Sequence, residues 1–304
     1  MQLVEECYSC ILKRTNGILL RKNIDLKLQN QIMNKIAKTN ESLNASNGWL
    51  NNKINRICPA QLGTNRQKIL ELNNLGNTYQ KEKNIGHELG SYFWKVFKNK
   101  KMNLEEKLII SLFGNGIEFD VGGNYTEITQ DKMIKELHTL FQDTKLQKTA
   151  KETALKISTK VNQGDLVLFL LDNVGENYLD ALLIQALLDS GIDVEAVVKG
   201  GPILNDVTRS DMQDFPIDVQ LWDTGNSDVG LFLNRIPEQL LNRINEAKLL
   251  IIKGMAQFET LSSEILPTDA IYLMKVKCNP VAEAVNSELG RYIIHYQTKD
   301  YSWL

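Results

Sequence analysis

The sequence predicts an α/β protein in which a helical N-terminal region leads into a mostly parallel sheet. Two textures in the chain carry that prediction. As far as about residue 160, apolar side chains recur at helical spacing. From residue 165, short apolar runs of strand length alternate with helical stretches, the βαβ pattern of a sheet covered on both faces. The boundary drawn from this change puts a helical region at 1–102 and an α/β region at 103–304, with the join somewhere in 103–164.

The first helix is expected in "VEECYSCILKRTNGILLRK", where Cys7, Cys10, Ile11 and Leu19 keep helical spacing, and "LKLQNQIMNKIAKTNESL" repeats the pattern. Pro59 suits the first turn of a third helix, "AQLGTNRQKILEL", because proline's missing N–H costs nothing there. A fourth stripe runs through "NTYQKEKNIGHELGSYFWKVFKN". In "NLEEKLIISLF", Asn103 is a natural N-cap and Glu105 and Glu106 sit in the first turn, where the helix dipole favours them. That helix must stop at the glycine-rich "GNGIEFDVGGN", and two more follow before residue 165. The strands are then "DLVLFLL", "DVEAVV", "IDVQLW", "KLLIIK" and "AIYLMKV".

The bulk numbers exclude several classes of partner. A formal net charge of −2 with no strongly basic half gives no footprint for nucleic acid. No apolar run approaches the roughly 20 residues that cross a bilayer, and the first residues lack a signal-peptide pattern. Four cysteines in 304 residues are too few for a disulfide scaffold, so a reducing cytoplasm is the expected home. A homodimer stays open.

What stands at the strand ends points to chemistry. The first strand ends in Asp172-Asn173, followed by Gly175 and Glu176; the second in Lys199-Gly200, leading to Asn205, Asp206 and Asp211. The third ends in "DTGNSD", the fourth in Lys253-Gly254, the fifth in Lys277-Cys278-Asn279-Pro280. In parallel strands these tips share one edge, where open α/β sheets bind their ligands. Asp172, Asn173 and Asp206 offer only oxygen, which suits a hard divalent ion such as Mg²⁺ or Mn²⁺ rather than zinc. Lys253, directly before Gly254, is expected to lean over the site and bind phosphate, and Lys277 to stabilise the departing oxygen. Backbone N–H groups of Val174 to Glu176 open the next helix toward the same edge. Together these parts read as a phosphate-hydrolysis site. Each has a plainer reading: Asp172, Asn173 or Asp206 can cap a helix, Glu176 can be a first-turn charge, and single strand-end lysines are usually solvated. Their repetition at five strand ends favours the functional reading.

At these residues the chain resembles the damage-control phosphatase family, formerly a domain of unknown function. The resemblance lies in "LDNVGENYLD", "KGGPILNDVTRSD", "IIKGMAQFETL" and "LMKVKCNPVA", in that order, with "LFGNGIEFDV" and "CYSCILKR" upstream. It implies a Rossmann-like three-layer α/β/α fold with an added helical region. The implied activity is metal-dependent hydrolysis of small phosphorylated metabolites, with Mn²⁺, Co²⁺, Ni²⁺ or Mg²⁺ as cofactor. Carried over residue by residue, it makes Asp172, Asn173 and Asp206 metal ligands and places Lys253, Lys277, Asn115 and Glu176 on the substrate side, with Asp172, Lys253 and Lys277 catalytic. Two departures stand out: Asn77-Thr78-Tyr79 replaces an Asp-Pro-Tyr stretch, and Met274 stands where larger relatives have arginine ahead of the last lysine.

Three rivals remain. A haloacid-dehalogenase-type phosphatase needs a second acid two residues after its aspartate, and Val174 stands there. A methyltransferase would show a glycine-rich loop after the first strand, which is missing. A non-catalytic phosphometabolite- or metal-binding protein would use the same ligands. Cys7 and Cys10, with Cys58, lack the second C-x-x-C pair of a strong zinc site, so packing is the expected role.

Overall fold

The helical periodicity of the first half becomes α1 (Glu5–Arg21), α2 (Leu26–Asn47) and α3 (Pro59–Glu71), then α4 (Gln80–Phe97) and α5 (Leu104–Gly114). In this computed structural model the described residues are all but 2, 48–56, 77–78, 122–123, 126–127 and 302–304. Asn103 does cap α5, accepting from the Glu106 amide while Glu106 returns the bond, so two otherwise orphan N–H groups are satisfied together. A two-residue ladder, β1 (Asp120–Val121) with β2 (Asn124–Tyr125), follows the glycine-rich loop. The helices α6 (Gln130–Gln142) and α7 (Thr144–Lys160) complete the half.

The main sheet then alternates with helices: β3 (Leu166–Leu170), α8 (Glu176–Asp189), β4 (Asp193–Val198), β5 (Gln220–Asp223), α9 (Glu238–Glu246), β6 (Leu249–Lys253), α10 (Met255–Leu261), β7 (Asp269–Lys275), α11 (Asn279–Ala284) and β8 (Tyr292–Gln297). Its strand order is β5-β4-β3-β6-β7-β8. All pairs are parallel except β7 with β8, the last strand, which the sequence reading did not separate from its surroundings. The order reverses between β3 and β6, and that switch point is where a crevice opens at the carboxyl ends.

Two cores cover the two faces of the sheet. On one, Phe93 of α4, Phe113 of α5, Ile157 of α7 and Leu183 of α8 pack with Phe169. On the other, Leu240 of α9, Phe258 of α10 and Val281 of α11 meet Leu168, Ile252 and Tyr272. Each large side chain so buried contributes about 1.5–3 kcal/mol, against about 0–1 for a surface ion pair, so these layers hold the fold. The Rossmann-like three-layer arrangement follows. A third, smaller core belongs to α1, α2 and α3, with Ile18, Leu19, Ile36, Leu62 and Leu70. Helix α4 shares its core with α5 and α8, so that packing runs across residue 102. Among the described residues no helix is long and apolar enough to cross a membrane.

One histidine gives the fold an acid limit. His295 on β8 pairs in register with Tyr272. Burial, with Lys156 nearby, pulls its imidazole down from the ordinary 6.5 to about 4. A depressed histidine favours the neutral folded state, so its contribution is whole above pH 6.5 and is lost as pH falls through 4. Urea unfolding should therefore lose up to about 3 kcal/mol between pH 7 and pH 4 through this group, and His295→Gln should flatten that limb. Parallel pH profiles for parent and variant would refute the assignment.

Candidate active site

The site begins where β3 runs out. Leu171 continues the ladder onto the Val197 carbonyl, and residues 172–174 then lie alongside 205–207. The Val207 amide donates to the Asp172 carbonyl at 2.8 Å, the Val174 amide to the Asn205 carbonyl at 2.9 Å, and Asn173 bridges Asp206. Two segments thirty residues apart in the chain thus present Asp172, Asn173 and Asp206 side by side, 7%, 5% and 6% exposed. None of them caps a helix. Gly175 is the N-cap of α8 without a side-chain cap bond, and Thr208 caps the short 3₁₀ turn Arg209–Met212 reciprocally with Asp211.

These three side chains border a cavity of about 550 Å³, roofed by α1 and α3 and walled by α10. That volume lies in the range of small-molecule pockets. Gly254 makes the site possible. Its φ of +83° and ψ of 158° belong to a region that is essentially glycine's alone, and a Cβ there would run into the Asp172 carboxylate. On the other side of the turn, Gly86 of α4 lies so close to the Val174 carbonyl that any side chain would collide with it.

The electrostatics of the pair ask for a cation. Burial, then the charges of Glu176 and Asp206, push the Asp172 carboxyl well above its ordinary range. Burial likewise pushes Asp206 up to about 6, although Lys199 and Lys83 pull it back. Asn173 Nδ2 is engaged by Asp172 Oδ2 at 3.0 Å and Glu176 Oε1 at 2.7 Å, so its oxygen is what it can offer an ion. Among the described residues no three His, Cys, Asp or Glu side chains form a metal cluster. Two carboxylates and one amide fall one acid short of that, yet they fit an Mg²⁺-like ion, which commonly takes one or two carboxylates and keeps water or substrate oxygen elsewhere.

Cations approach from two sides. Lys277 lines the cavity and is held by Glu118 Oε2 at 2.6 Å. Burial alone would lower its pKa, but Glu118, Glu176 and Asp172 raise it above the ordinary value and keep it charged. Lys199, 4% exposed, donates to the carbonyls of Asp228 and Gly230 and stands 3.6 Å from Asp206 Oδ2.

The family described as the damage-control phosphatase ARMT1-like domain matches residues 3–293. The chain belongs to this family. It is 26% identical over 301 residues to a damage-control phosphatase of Pyrococcus horikoshii, covering 96% of this chain and 97% of that protein. A damage-control phosphatase of Archaeoglobus fulgidus is 26% identical over 300 residues, covering 95% and 97%. An uncharacterized protein of Methanocaldococcus jannaschii is 30% identical over 247 residues, covering 78% and 79%. The crystal structure of a DUF89 family protein from P. horikoshii shares the fold, with a TM-score of 0.78 at 22% identity, covering 99% of this chain and 100% of that one.

In this ARMT1-like chain the seven residues singled out by sequence divide into two rows. Asp172, Asn173, Asp206 and Lys277 line the cavity. Asn115, Glu176 and Lys253 do not; they form a fully buried layer behind it. Asn115 Nδ2 donates to Glu176 Oε2 at 2.9 Å and to Asp172 Oδ2 at 3.4 Å, while its oxygen accepts from the Lys275 amide at 2.9 Å. The expected placement of Lys253 over the site needs correction. Its side chain turns inward to the Ser111 carbonyl and to Asp180 Oδ1 at 2.8 Å, with Glu176 Oε2 at 3.5 Å. Two buried carboxylates draw the ammonium there, and Gly254 rather than Lys253 faces Asp172. Asn115 and Glu176, expected on the substrate side, likewise reach the cavity only through Asp172 and Asn173.

Glu118, Lys199, Asp180 and Ser111 were not among the residues chosen from sequence. Lys199 carried a signal, since it ends a strand before glycine. Glu118 meets Lys277 across 159 residues of chain, a contact that no local pattern announces. Met274 is fully buried within β7. Tyr79 lines the cavity, whereas Asn77 and Thr78 lie outside the described residues. Cys7, Cys10 and Cys278 also border the cavity. Burial pushes the Cys7 and Cys58 thiols up to about 11 and Cys278 to about 12, so they stay protonated near neutrality.

Proposed function

We propose that this chain is a divalent-metal-dependent phosphatase acting on small phosphomonoesters. One observation carries the reading: in a damage-control phosphatase relative, two buried carboxylates and an amide meet a charged lysine in a single cavity at the sheet's switch point. Asp172, Asn173 and Asp206 are the residues that would hold the ion. When bound, such an ion neutralises phosphoryl charge and makes a nucleophile of water near neutral pH.

The chain's own residues do the rest. Lys277 stabilises negative charge on the phosphate and on the departing oxygen, and Glu118 fixes where its ammonium sits. Glu176 and Asn115 bond to the side chains in front of them and set their angles. Lys253 keeps Glu176 and Asp180 in place from behind, as a positioning residue rather than a phosphate ligand. The apolar parts of α1 and α3, with Ile11, Pro59 and Ala60, line the roof of the cavity.

Purified protein should release phosphate from p-nitrophenyl phosphate with Mn²⁺, Co²⁺, Ni²⁺ or Mg²⁺ and stop with EDTA. Lys277→Ala should lower kcat roughly ten- to a hundredfold, the worth of one charge-assisted contact, with a smaller change in KM. Turnover indifferent to EDTA would remove the proposed role of the ion. Metal binding without turnover on a broad phosphoester panel would leave a binding protein in place of an enzyme.

A further inference from the structure

One polar side chain at the sheet edge has no part in the chemistry above. Asn205 stands directly before Asp206, borders the cavity and is 4% exposed. Its main chain is engaged, with the carbonyl accepting from the Val174 amide at 2.9 Å. Its side-chain donor is not: Asn205 Nδ2 is buried and has no hydrogen-bond partner among the described residues. The other buried amides of this centre differ, since Asn115 and Asn173 each donate to two carboxylates. A buried donor left without an acceptor is costly, and native proteins keep few of them, so each calls for a reason such as a ligand that completes it.

The backbone adds an independent observation. Leu204 has a φ of +46°, in the left-handed region that favours glycine and is uncommon for a bulky side chain. Strain of this kind gathers where a site must be held in one form. The Asp206 amide closes the turn on the Ile203 carbonyl at 3.0 Å, and Leu204 packs against the core of α1, α2 and α3. The turn so fixed presents Asn205 beside Asp206, between the carboxylate pair and the helical roof.

We propose that Asn205 is a further substrate-binding residue of this site, donating from Nδ2 to a non-bridging oxygen of the phosphoryl group. This rests on the phosphatase reading above. Asp172, Asn173 and Asp206 offer oxygen, which draws a cation but not a phosphate, and Lys277 is a point charge with little direction. An amide N–H beside Asp206 supplies a directional donor. It does not compete for the ion, because an amide nitrogen has no lone pair free for a metal. Bonded to the phosphoryl oxygen in the bound ester, and more strongly as charge gathers there, it lowers KM and raises kcat.

Two substitutions separate a phosphate donor from a metal ligand and from a structural amide. Asn205→Ala removes the donor, and Asn205→Asp puts an oxygen in its place. With the activating metal, both should lower kcat/KM for p-nitrophenyl phosphate by roughly ten- to a hundredfold. The loss should be the same for glycerol 3-phosphate, since the bond is to the phosphoryl group and not to a hydroxyl of the leaving group. Calorimetry should find Mn²⁺ binding kept in Asn205→Ala and kept or strengthened in Asn205→Asp. Binding of phenylphosphonate to the Mn²⁺-loaded protein should weaken in both. Thermal unfolding without ligand should leave Asn205→Ala at or above the parent, because it deletes a donor with nothing to bond, whereas a structural amide would cost stability. Parental phenylphosphonate binding in both variants, a loss of Mn²⁺ binding in Asn205→Ala, or a kinetic loss confined to glycerol 3-phosphate would overturn the proposal. If phenylphosphonate binding depends on Asn205 while no phosphomonoester is cleaved, the donor stands and the phosphatase reading falls.

Discussion

Lys253→Ala should destabilise the protein by about 3–5 kcal/mol, the cost of leaving a buried charge without its partner. The residue is fully buried and its ammonium is shared between Asp180 at 2.8 Å and Glu176 at 3.5 Å. Burial already pushes the Asp180 carboxyl up to about 6 even though Lys253 pulls it back. Without the ammonium its folded pKa climbs further above the unfolded one. A group raised in this way makes the folded state bind more protons, so stability falls as pH rises. The variant should therefore be closest to parent near pH 4 and furthest from it near pH 8 in thermal or urea unfolding. Lys253→Met with Asp180→Leu should recover part of the loss, because removing both partners costs less than stranding one. Lys253→Ala with parental stability across that pH range would show that the carboxylates find other partners, and the layer behind the site would lose its assigned role.

How far this arrangement could be read from sequence depends on the range of the forces that make it. Asp172 and Asn173 were legible because a polar pair at the tip of an apolar strand is a local contrast, and parallel strands put such tips on one edge. The Asn103 cap was legible for the same reason. The direction of Lys253 was not. All five residues of β6 are buried, so no alternation marks which face a strand-end side chain takes. Its direction is decided by Asp180, 73 residues away, and by Ser111, 142 residues away. Strand β8 escaped because "YIIHYQ" mixes buried and half-buried positions without the continuous apolar run of its neighbours, and its antiparallel return breaks the βαβ rhythm. The roof formed by α1 and α3 lies beyond local reasoning as well, since helical periodicity gives a face but not what the face covers.

Gly254→Ala should cost at least about a hundredfold in kcat/KM, although it removes no side chain that could bind metal or substrate. Two effects act together. The backbone at φ +83° and ψ 158° is strained by of order 1–3 kcal/mol for any other residue. The new methyl would also occupy the place of the Asp172 carboxylate. One of them must move. Strand β6 is tied on both sides, to β3 and β7, and the Gly254 amide donates to the Leu273 carbonyl at 3.1 Å, so the side chain is the softer partner. Asp172 would then swing away from Asn173 and Asp206, and misplacing a catalytic group by about 1 Å is enough for a loss near a hundredfold. Asp172→Ala sets the upper limit of the effect, a loss of all metal-dependent turnover with the fold kept, and Gly254→Ala should approach it. Both variants should also bind Mn²⁺ more weakly by calorimetry, a readout that a general loosening of the structure would not confine to these two positions. If Gly254→Ala binds Mn²⁺ and turns over p-nitrophenyl phosphate as the parent does, Asp172 does not hold the ion from the place it occupies over Gly254.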